Sequence, residues 1–203
     1  MILVVKIKIC GLTRPCDIEA VNEAQPDYAG FVFAQSRRHV TREQAFQLRS
    51  KLCSEIVPVG IFVDEKIEKI VEIAKSGTID MIQLHGNEDE RYIEEIKSLT
   101  GKKIIKSVSI LNKGDAQQQI ATLADYLLFD NKGGGTGESF DWDLIGTVNR
   151  PFFLAGGLTI GTIRTAIEKT RPFAIDISSG VETKGQKDYD KIQAIVSKVR
   201  ESK

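Results

Sequence analysis

The sequence of 203 residues carries no net charge and contains no long run of apolar residues. Its 28 lysine and arginine residues balance 28 aspartate and glutamate residues, and no basic stripe alternates with aromatic residues. Nucleic-acid-binding proteins usually show such a stripe, so we expect no nucleic-acid partner. A membrane-spanning helix needs about 20 apolar residues in succession, so we also expect no membrane span.

Cysteine and histidine, which supply disulfides and many metal sites, are rare. Cys10, Cys16 and Cys53 show neither the paired spacing of a metal site nor an even disulfide framework. His39 and His85 form no ligand cluster with the scattered carboxylates, so we predict no metal and no other cofactor. The first five residues lack the basic segment of a secretion signal, and reduced cysteines are typical of a cytoplasmic protein.

Eight short apolar runs recur at roughly even intervals, each bounded by glycine, proline, aspartate or asparagine. Several of them are apolar on both faces, which is typical of parallel strands covered by helices on both sides. The predicted strands are Val4–Cys10, Tyr28–Phe33, Ile56–Val63, Met81–His85, Ile104–Val108, Tyr126–Asp130, Phe152–Ala155 and Phe173–Ile177.

Segments with helical spacing of apolar residues lie between these runs. The predicted helices are Asp17–Glu23, a helix beginning at Thr41 with a capping box, Lys66–Lys75, Glu88–Leu99, Asp115–Leu123, Asp143–Val148, Ile160–Lys169 and Asp188–Arg200. Eight strand–helix units without a break in composition predict an α/β fold, a single (β/α)₈ TIM barrel domain over residues 1–203. An open dinucleotide-binding sheet is disfavoured because no Gly-x-Gly-x-x-Gly follows the first strand.

Glycine-containing turns follow the last two predicted strands directly. Glycine lets the backbone approach a ligand closely, and backbone N–H groups at the start of a following helix attract phosphate. Barrel enzymes often hold a phosphate in the loops after strands seven and eight. The sequence therefore predicts a phosphate site on Gly156, Gly157, Ser178, Ser179 and Gly180.

Unlike polar side chains fall at the ends of other predicted strands, where barrel enzymes carry out their chemistry. Cys10, Gln83, His85 and Asp130 end their strands, and Arg37–Arg38 follows the second strand. Each has a structural alternative: a lone cysteine usually packs as a small apolar residue, and an aspartate often caps the next helix. Because all of these polar side chains are predicted to lie at the same end of the barrel, we favour a functional site over these structural alternatives.

Alternation of side chains along the first strand predicts a buried ion pair. Lys8 and Cys10 share one face, so Lys8 lies inside the barrel if Cys10 points into its mouth. A buried lysine needs a carboxylate or has to lose its charge, and we predict that Lys8 pairs with an inward acid near the rim, with Asp176 as the first candidate. A lysine near Cys10 also favours the thiolate.

Short segments throughout the chain are similar to those of the phosphoribosylanthranilate isomerases, the barrel enzymes of tryptophan biosynthesis. Together they span nearly the whole sequence in order. They are Lys8–Thr13, Asp27–Phe33, Ser36–Arg38, Val59–Val63, Gln83–Gly86, Gly134–Gly137 with Phe140–Trp142, Leu154–Leu158, Asp176–Glu182 and Gly185–Asp188.

The resemblance implies an Amadori rearrangement of N-(5-phosphoribosyl)anthranilate to 1-(2-carboxyphenylamino)-1-deoxyribulose 5-phosphate. It implies that Cys10 is the general base and Asp130 the general acid. An acid has to hold its proton until it is used, so we expect a raised pKa for Asp130. A base has to be deprotonated, so we expect a lowered pKa for Cys10.

The resemblance also implies how a small phosphorylated aminosugar is bound. Arg38 takes the anthranilate carboxylate, with Arg37 as the neighbouring alternative. Gln83 and His85 line the sugar, and Asp176 lies on the polar floor of the site. Either a monomer or a homodimer is compatible with the sequence.

Three other functions are compatible with a phosphosugar barrel. A pentulose-phosphate epimerase would want histidine and aspartate metal ligands on several strands, and this chain has two histidines. Indole-glycerol-phosphate synthase would use a lysine and glutamate set that we do not find. A barrel that binds a phosphosugar without catalysis would make Cys10 or Asp130 dispensable.

Overall fold

The computed structural model describes residues 5–131 and 140–201. Eight parallel strands close into a barrel in sequence order, which confirms the predicted fold. They are β1 (Lys6–Cys10), β2 (Tyr28–Val32), β3 (Val57–Phe62), β4 (Met81–Leu84), β5 (Lys103–Ser109), β6 (Tyr126–Asp130), β7 (Phe152–Leu154) and β8 (Ala174–Ile177). That one domain spans residues 1–203 stays a prediction.

Helices follow most of the strands and cover the outside of the barrel. They are α1 (Pro15–Ala24), α2 (Arg42–Arg49), α3 (Ile67–Lys75), α4 (Glu90–Thr100), α5 (Asp115–Gln118), α6 (Ile163–Thr170) and α7 (Tyr189–Glu201). The capping box at Thr41 is confirmed, because its hydroxyl accepts from the N–H of Gln44 and its own N–H donates to the Gln44 side chain.

Two predicted helices are wrong. The helix from Asp115 ends at Gln118, because the following N–H groups of Gln119, Ile120 and Thr122 donate to carbonyls three residues back instead of four. Arg150 then binds the carbonyls that come next, those of Ile120, Thr122 and Ala124. The segment 143–148 forms no α-helix. It contributes only to a 3₁₀ turn, Trp142–Leu144, and the backbone turns left-handed at Gly146.

Two sets of side chains lie inside the barrel. One set, which we call the apolar floor, is a cluster of buried apolar residues: Tyr28, Val59, Met81, Ile105, Leu128, Phe153, Ala155 and Ala174. The other set, which we call the polar rim, comprises the buried side chains of Lys8, Cys10, Gln83, Asp130 and Asp176. Leu128 of the floor and Asp130 of the rim are two residues apart on the same strand, so both point inward.

A two-stranded hairpin follows β8 and was not predicted. Strands β9 (Glu182–Thr183) and β10 (Gln186–Lys187) pair antiparallel around a two-residue turn. Both turn residues have positive φ, 52° at Lys184 and 79° at Gly185, as a type I′ hairpin turn requires. The hairpin brings Glu182 and Lys187 directly opposite each other at the mouth of the barrel.

Candidate active site

A cavity of about 1000 Å³ opens at the carboxyl ends of the strands. All of the predicted site residues line this cavity, which brings together side chains far apart in sequence. They are Cys10, Arg38, Gln83, His85, Asp130, Gly156, Gly157, Asp176, Ser178, Ser179 and Gly180. The glycine run Gly133–Gly137, which we expected beside the site, lies outside the described residues.

The predicted ion pair beneath Cys10 is confirmed. Lys8 has no exposed surface, and its Nζ lies 2.8 Å from Oδ2 of Asp176 on the neighbouring strand. Burial by itself lowers the pKa of Lys8, but the negative charges of Asp176 and the Cys10 thiolate outweigh it and raise that pKa. Lys8 therefore places a fixed positive charge under the thiol.

The predicted lowering of the Cys10 pKa is wrong. Burial raises the pKa of Cys10 above its ordinary value of 9.0. The charges of Lys8 and Lys187 pull the pKa down, but the desolvation of the thiolate is larger and Asp176 adds repulsion. Cys10 is therefore held mainly as the neutral thiol at neutral pH.

Asp130 ends β6 with only 5% of its surface exposed. Burial raises its pKa to about 6, although the N–H of Asn131, 2.8 Å from Oδ1, favours the ionised form. The expected raised pKa is thus confirmed, and its main cause is desolvation. An acid with this pKa keeps part of its population protonated near neutral pH.

His85 lies beside the acid and is neutral. Burial lowers the pKa of His85 to about 4. Its Nδ1 lies 2.9 Å from the Gln83 amide nitrogen, which donates to it, so the ring proton is on Nε2. That Nε2 faces Oγ of Ser107 at 3.4 Å and Oδ2 of Asp130 at 3.7 Å.

The two glycine turns pack against each other at one side of the cavity. A Cβ on Gly180 would lie 2.0 Å from the carbonyl oxygen of Leu158, so only glycine permits this backbone contact. Ser179 and Gly180 begin the 3₁₀ turn Ser179–Val181, so their N–H groups have no acceptor within that turn, and the N–H of Gly157 donates to no other backbone group of the described residues. These donors point to an anion site, as the sequence predicts.

The match to known proteins covers almost the entire chain. Residues 7–198 match the family described as N-(5'-phosphoribosyl)anthranilate (PRA) isomerase. The chain belongs to the PRA isomerase family. The epimerase and synthase alternatives considered from the sequence are thereby set aside.

Curated PRA isomerases from bacteria are similar over nearly their full length. The isomerase of Endomicrobium trichonymphae is 47% identical over 199 residues, covering 96% of this chain and 98% of that protein. The isomerase of Thermoanaerobacter sp. (strain X514) is 43% identical over 202 residues, covering 97% of this chain and 98% of that protein.

Solved PRA isomerase structures share the barrel. The Thermotoga maritima isomerase superposes with a TM-score of 0.87 at 34% identity, covering 97% of this chain and 99% of that chain. Another PRA isomerase, solved in complex with reduced 1-(o-carboxyphenylamino)-1-deoxyribulose 5-phosphate, superposes with a TM-score of 0.83 at 32% identity, with the same coverage of both chains.

In this isomerase the two candidate arginines differ in exposure. Arg38 lines the main cavity and its side chain is 11% exposed, whereas the Arg37 side chain is 57% exposed and lines only a smaller cavity beside it. Both arginines bind Glu182, a residue to which we assigned no role from the sequence.

Sequence reasoning missed two ion pairs in this isomerase. Glu182 pairs with Lys187 across the hairpin, a contact that the turn sequence Lys184-Gly185 could have suggested. Glu88 pairs with Lys106 at 2.7 Å on the opposite wall of the cavity.

The Glu88–Lys106 pair shapes the loop after β4. The Glu88 carboxylate accepts from the N–H groups of Asp64 and Gly86, and Lys106 donates to the carbonyl of Gly86. These bonds tie the β3 and β4 loops together and close this wall of the cavity.

The described residues contain neither a metal-binding cluster nor a membrane-spanning helix. No group of three or more histidine, cysteine, aspartate or glutamate side chains in residues 5–131 and 140–201 is arranged to hold a metal ion. No helix within the same ranges has the length and apolar character needed to cross a membrane.

Proposed function

We propose that Cys10 and Asp130 are the base and the acid with which this protein performs its family's reaction. That reaction isomerises N-(5'-phosphoribosyl)anthranilate, an aminoaldose, to 1-(2-carboxyphenylamino)-1-deoxyribulose 5-phosphate, an aminoketose, in tryptophan biosynthesis. The observation that carries the proposal is that both groups line one cavity together with the two glycine turns and Arg38.

Asp130 opens the sugar ring in the first step. It donates its proton to the furanose ring oxygen, the bond between that oxygen and C1 breaks, and the nitrogen lone pair forms a protonated Schiff base. A pKa of about 6 keeps a usable fraction of Asp130 protonated near neutral pH. The N–H of Asn131 then stabilises the carboxylate that remains.

Cys10 performs the second step as a thiolate. It removes the proton from C2, the electrons move toward the Schiff-base nitrogen to give an enolamine, and tautomerisation yields the ketone. A neutral Cys10 with an ionised Asp130 holds as many protons as a thiolate with a protonated Asp130. Transfer of one proton from Cys10 to Asp130 thus converts the resting state into the competent state. The positive charges of Lys8 and Lys187 favour the thiolate in that state.

The two anionic ends of the substrate fix its orientation. The phosphate binds the N–H groups of Gly157, Ser179 and Gly180. The anthranilate carboxylate binds the planar guanidinium of Arg38, which is suited to a two-point contact with a carboxylate. Anchoring both ends holds C2 toward Cys10.

Side chains on the remaining wall complete the site. His85 and Gln83 line the sugar, with the neutral His85 offering its Nε2 proton toward Asp130. Asp176, a residue of the polar rim, binds Lys8 and lies at the bottom of the site. The chemistry uses no bound cofactor or metal ion in this proposal.

Turnover by purified variants tests the two catalytic roles. N-(5'-phosphoribosyl)anthranilate is generated in situ, and the loss of anthranilate-type fluorescence is followed with a chelator present. We expect Cys10→Ser and Asp130→Asn each to lose about 10²–10⁴-fold in kcat, as for a positioned acid or base. Wild-type turnover by either variant would refute its assigned role.

Two properties of the protein as a whole belong to the proposal. We infer a cytoplasmic location from the free cysteines Cys10, Cys16 and Cys53, which are typical of a reducing compartment. We infer a monomer or a homodimer; the Thermotoga maritima isomerase, 34% identical, is described as dimeric. Sedimentation of the purified protein distinguishes the two states.

A further inference from the structure

Glu182 is a buried carboxylate surrounded by three cations at the mouth of the barrel. Its side chain is 5% exposed, and its oxygens lie 2.7 Å from Nε of Arg38 and 2.8 Å from both Nη2 of Arg37 and Nζ of Lys187. Burial opposes the charge of Glu182, but the hydrogen bonds from Arg38 and Lys187 prevail and lower its pKa. One negative charge therefore holds three positive charges together.

The hairpin builds this arrangement from local sequence. The type I′ turn at Lys184-Gly185 sets Glu182 opposite Lys187, and Asp188 locks the turn by accepting from the Thr183 hydroxyl. The position of the carboxylate therefore depends on the hairpin rather than on the barrel strands.

Lys187 connects Glu182 to the catalytic side of the cavity. Its Nζ donates to the carbonyl oxygen of Ser178 at 2.8 Å, at the start of the predicted phosphate turn. The hydroxyl of Ser178 in turn donates to the backbone carbonyl of Cys10 at 3.0 Å. A chain of hydrogen bonds thus runs from Arg38 through Glu182, Lys187 and Ser178 to the backbone of Cys10.

Glu182 occupies only one edge of the Arg38 guanidinium. Nε donates to Oε1 at 2.7 Å and Nη2 donates to Oε2 at 3.1 Å, so the side edge of the fork is fully used. Within the described residues, Nη1 has no acceptor. The outer edge, formed by Nη1 and Nη2, stays available for a second carboxylate in the cavity.

We propose that Glu182 is a positioning residue that sets the preference of this enzyme for a carboxylated aromatic amine, by holding Arg38 so that its outer edge faces the substrate carboxylate. The proposal rests on the assignment of Arg38 in the proposed function. Three cations against one carboxylate leave a positive field at this end of the cavity, which the substrate carboxylate completes.

A pair of substrates isolates this role from general effects. The first is N-(5'-phosphoribosyl)anthranilate, and the second is its aniline counterpart, which lacks the carboxylate; both are made in situ from ribose 5-phosphate and the amine. The measured quantity is the ratio of kcat/KM for the two substrates in each variant. A loss of folding affects both substrates equally and leaves the ratio unchanged.

Glu182→Gln is expected to lower kcat/KM for the anthranilate substrate about 10- to 100-fold, mainly through KM, because a neutral amide no longer holds the fork. The same variant should change the aniline substrate much less. Arg38→Met should lower the ratio of kcat/KM for the anthranilate substrate to that for the aniline substrate by a similar amount. The double variant Glu182→Gln/Arg38→Met should show no lower ratio than Arg38→Met alone. Arg37→Met is the matched control, since Arg37 also binds Glu182 but stays outside the main cavity.

The possible failures are distinguishable. An unchanged ratio in Glu182→Gln, whether activity is kept or falls equally on both substrates, would overturn the proposal, because Glu182 would then do no more than support the fold. An unchanged ratio in Arg38→Met would instead refute the carboxylate role given to Arg38 in the proposed function. If Glu182→Gln does not fold, Glu182→Asp keeps the charge but is one methylene too short to reach the Arg38 guanidinium, and the same loss of the ratio is expected.

Discussion

The apolar floor and the polar rim are built from the same strands but carry opposite chemistry. In the floor, Phe153 contacts the rings of Tyr28, Tyr126 and Phe173, with centroids 5.4–5.8 Å apart. Two residues further along a strand, as from Leu128 to Asp130 on β6, the side chains belong to the rim, which buries lysine and carboxylate groups. Burying a charge destabilises the folded state unless the charge is paired. The floor therefore stabilises the fold, whereas the reactive groups of the rim lower its free energy of unfolding.

The difference explains why the catalytic groups have unusual pKa values. Desolvation is the largest cause for Cys10, His85 and Asp130 alike. A closed barrel end surrounds these groups with protein and leaves water on one side only. The floor beneath them is what prevents water from reaching the groups from below.

The largest effect on stability is expected in the floor. Phe153→Ala removes the ring that three aromatic neighbours contact and leaves a cavity, so we expect a loss of about 3–5 kcal/mol in the free energy of unfolding. Denaturant titration measures it, and kcat of the folded fraction should be nearly unchanged. Phe46→Ala, at a residue 55% exposed on α2, is the control. Equal losses in both variants would mean that the floor is not the main source of stability.

A smaller loss is expected when the buried pair of the rim is broken. Lys8→Met leaves Asp176 without its cation, and we expect a loss of about 3 kcal/mol, which is moderated if Asp176 takes up a proton. Lys8→Met combined with Asp176→Leu should recover most of this stability while remaining inactive. If the double variant is as unstable as the single one, the rim charges stabilise the fold and the contrast with the floor fails.

Replacing the acid should stabilise the protein. The pKa of Asp130 rises from 3.8 unfolded to about 6 folded, so ionised Asp130 costs the folded state up to about 3 kcal/mol at pH 8. Asp130→Asn avoids this cost, and its gain should shrink as pH falls through 6 and vanish below about 4. Thermal unfolding across this range measures it, with the exposed Asp143→Asn as the control. A gain independent of pH would contradict the assigned cause.

The pH dependence of activity should reflect the same two groups. In the free enzyme, kcat/KM should rise with pH up to about 6, where Asp130 titrates, and fall only above 9, where Cys10 titrates. On the acid side below pH 6 and on the alkaline side above pH 9, kcat/KM should change tenfold per pH unit. An alkaline limb well below pH 9 would show that the rim does not raise the pKa of Cys10.

The period-two pattern explains how much of this site could be predicted from sequence. Alternation along β1 was enough to predict that Lys8 is buried beside an acid, with Asp176 as the first candidate, and the ends of the strands were enough to bring Cys10, Gln83 and Asp130 into one site. These contacts follow from strand geometry alone, which is the same in every parallel barrel.

The parts that could not be predicted depend on distances and burial. The direction of the Cys10 pKa shift is a balance between desolvation and the attraction of two lysines, and residue order gives neither depth nor distance. The Glu182 contacts depend on a hairpin between loop residues. The choice between Arg37 and Arg38 needed the direction in which each side chain leaves the loop.

The most direct test of the account is a ¹³C NMR titration of the folded protein labelled at the cysteine Cβ and the aspartate Cγ. Asp130 and Cys10 are assigned from the signals lost in Asp130→Asn and Cys10→Ser. The account predicts that Asp130 titrates near pH 6 and that Cys10 stays a thiol until above pH 9. A midpoint near 4 for Asp130, or a Cys10 thiolate at pH 7, would contradict the claim that burial in the polar rim prepares the acid and the base.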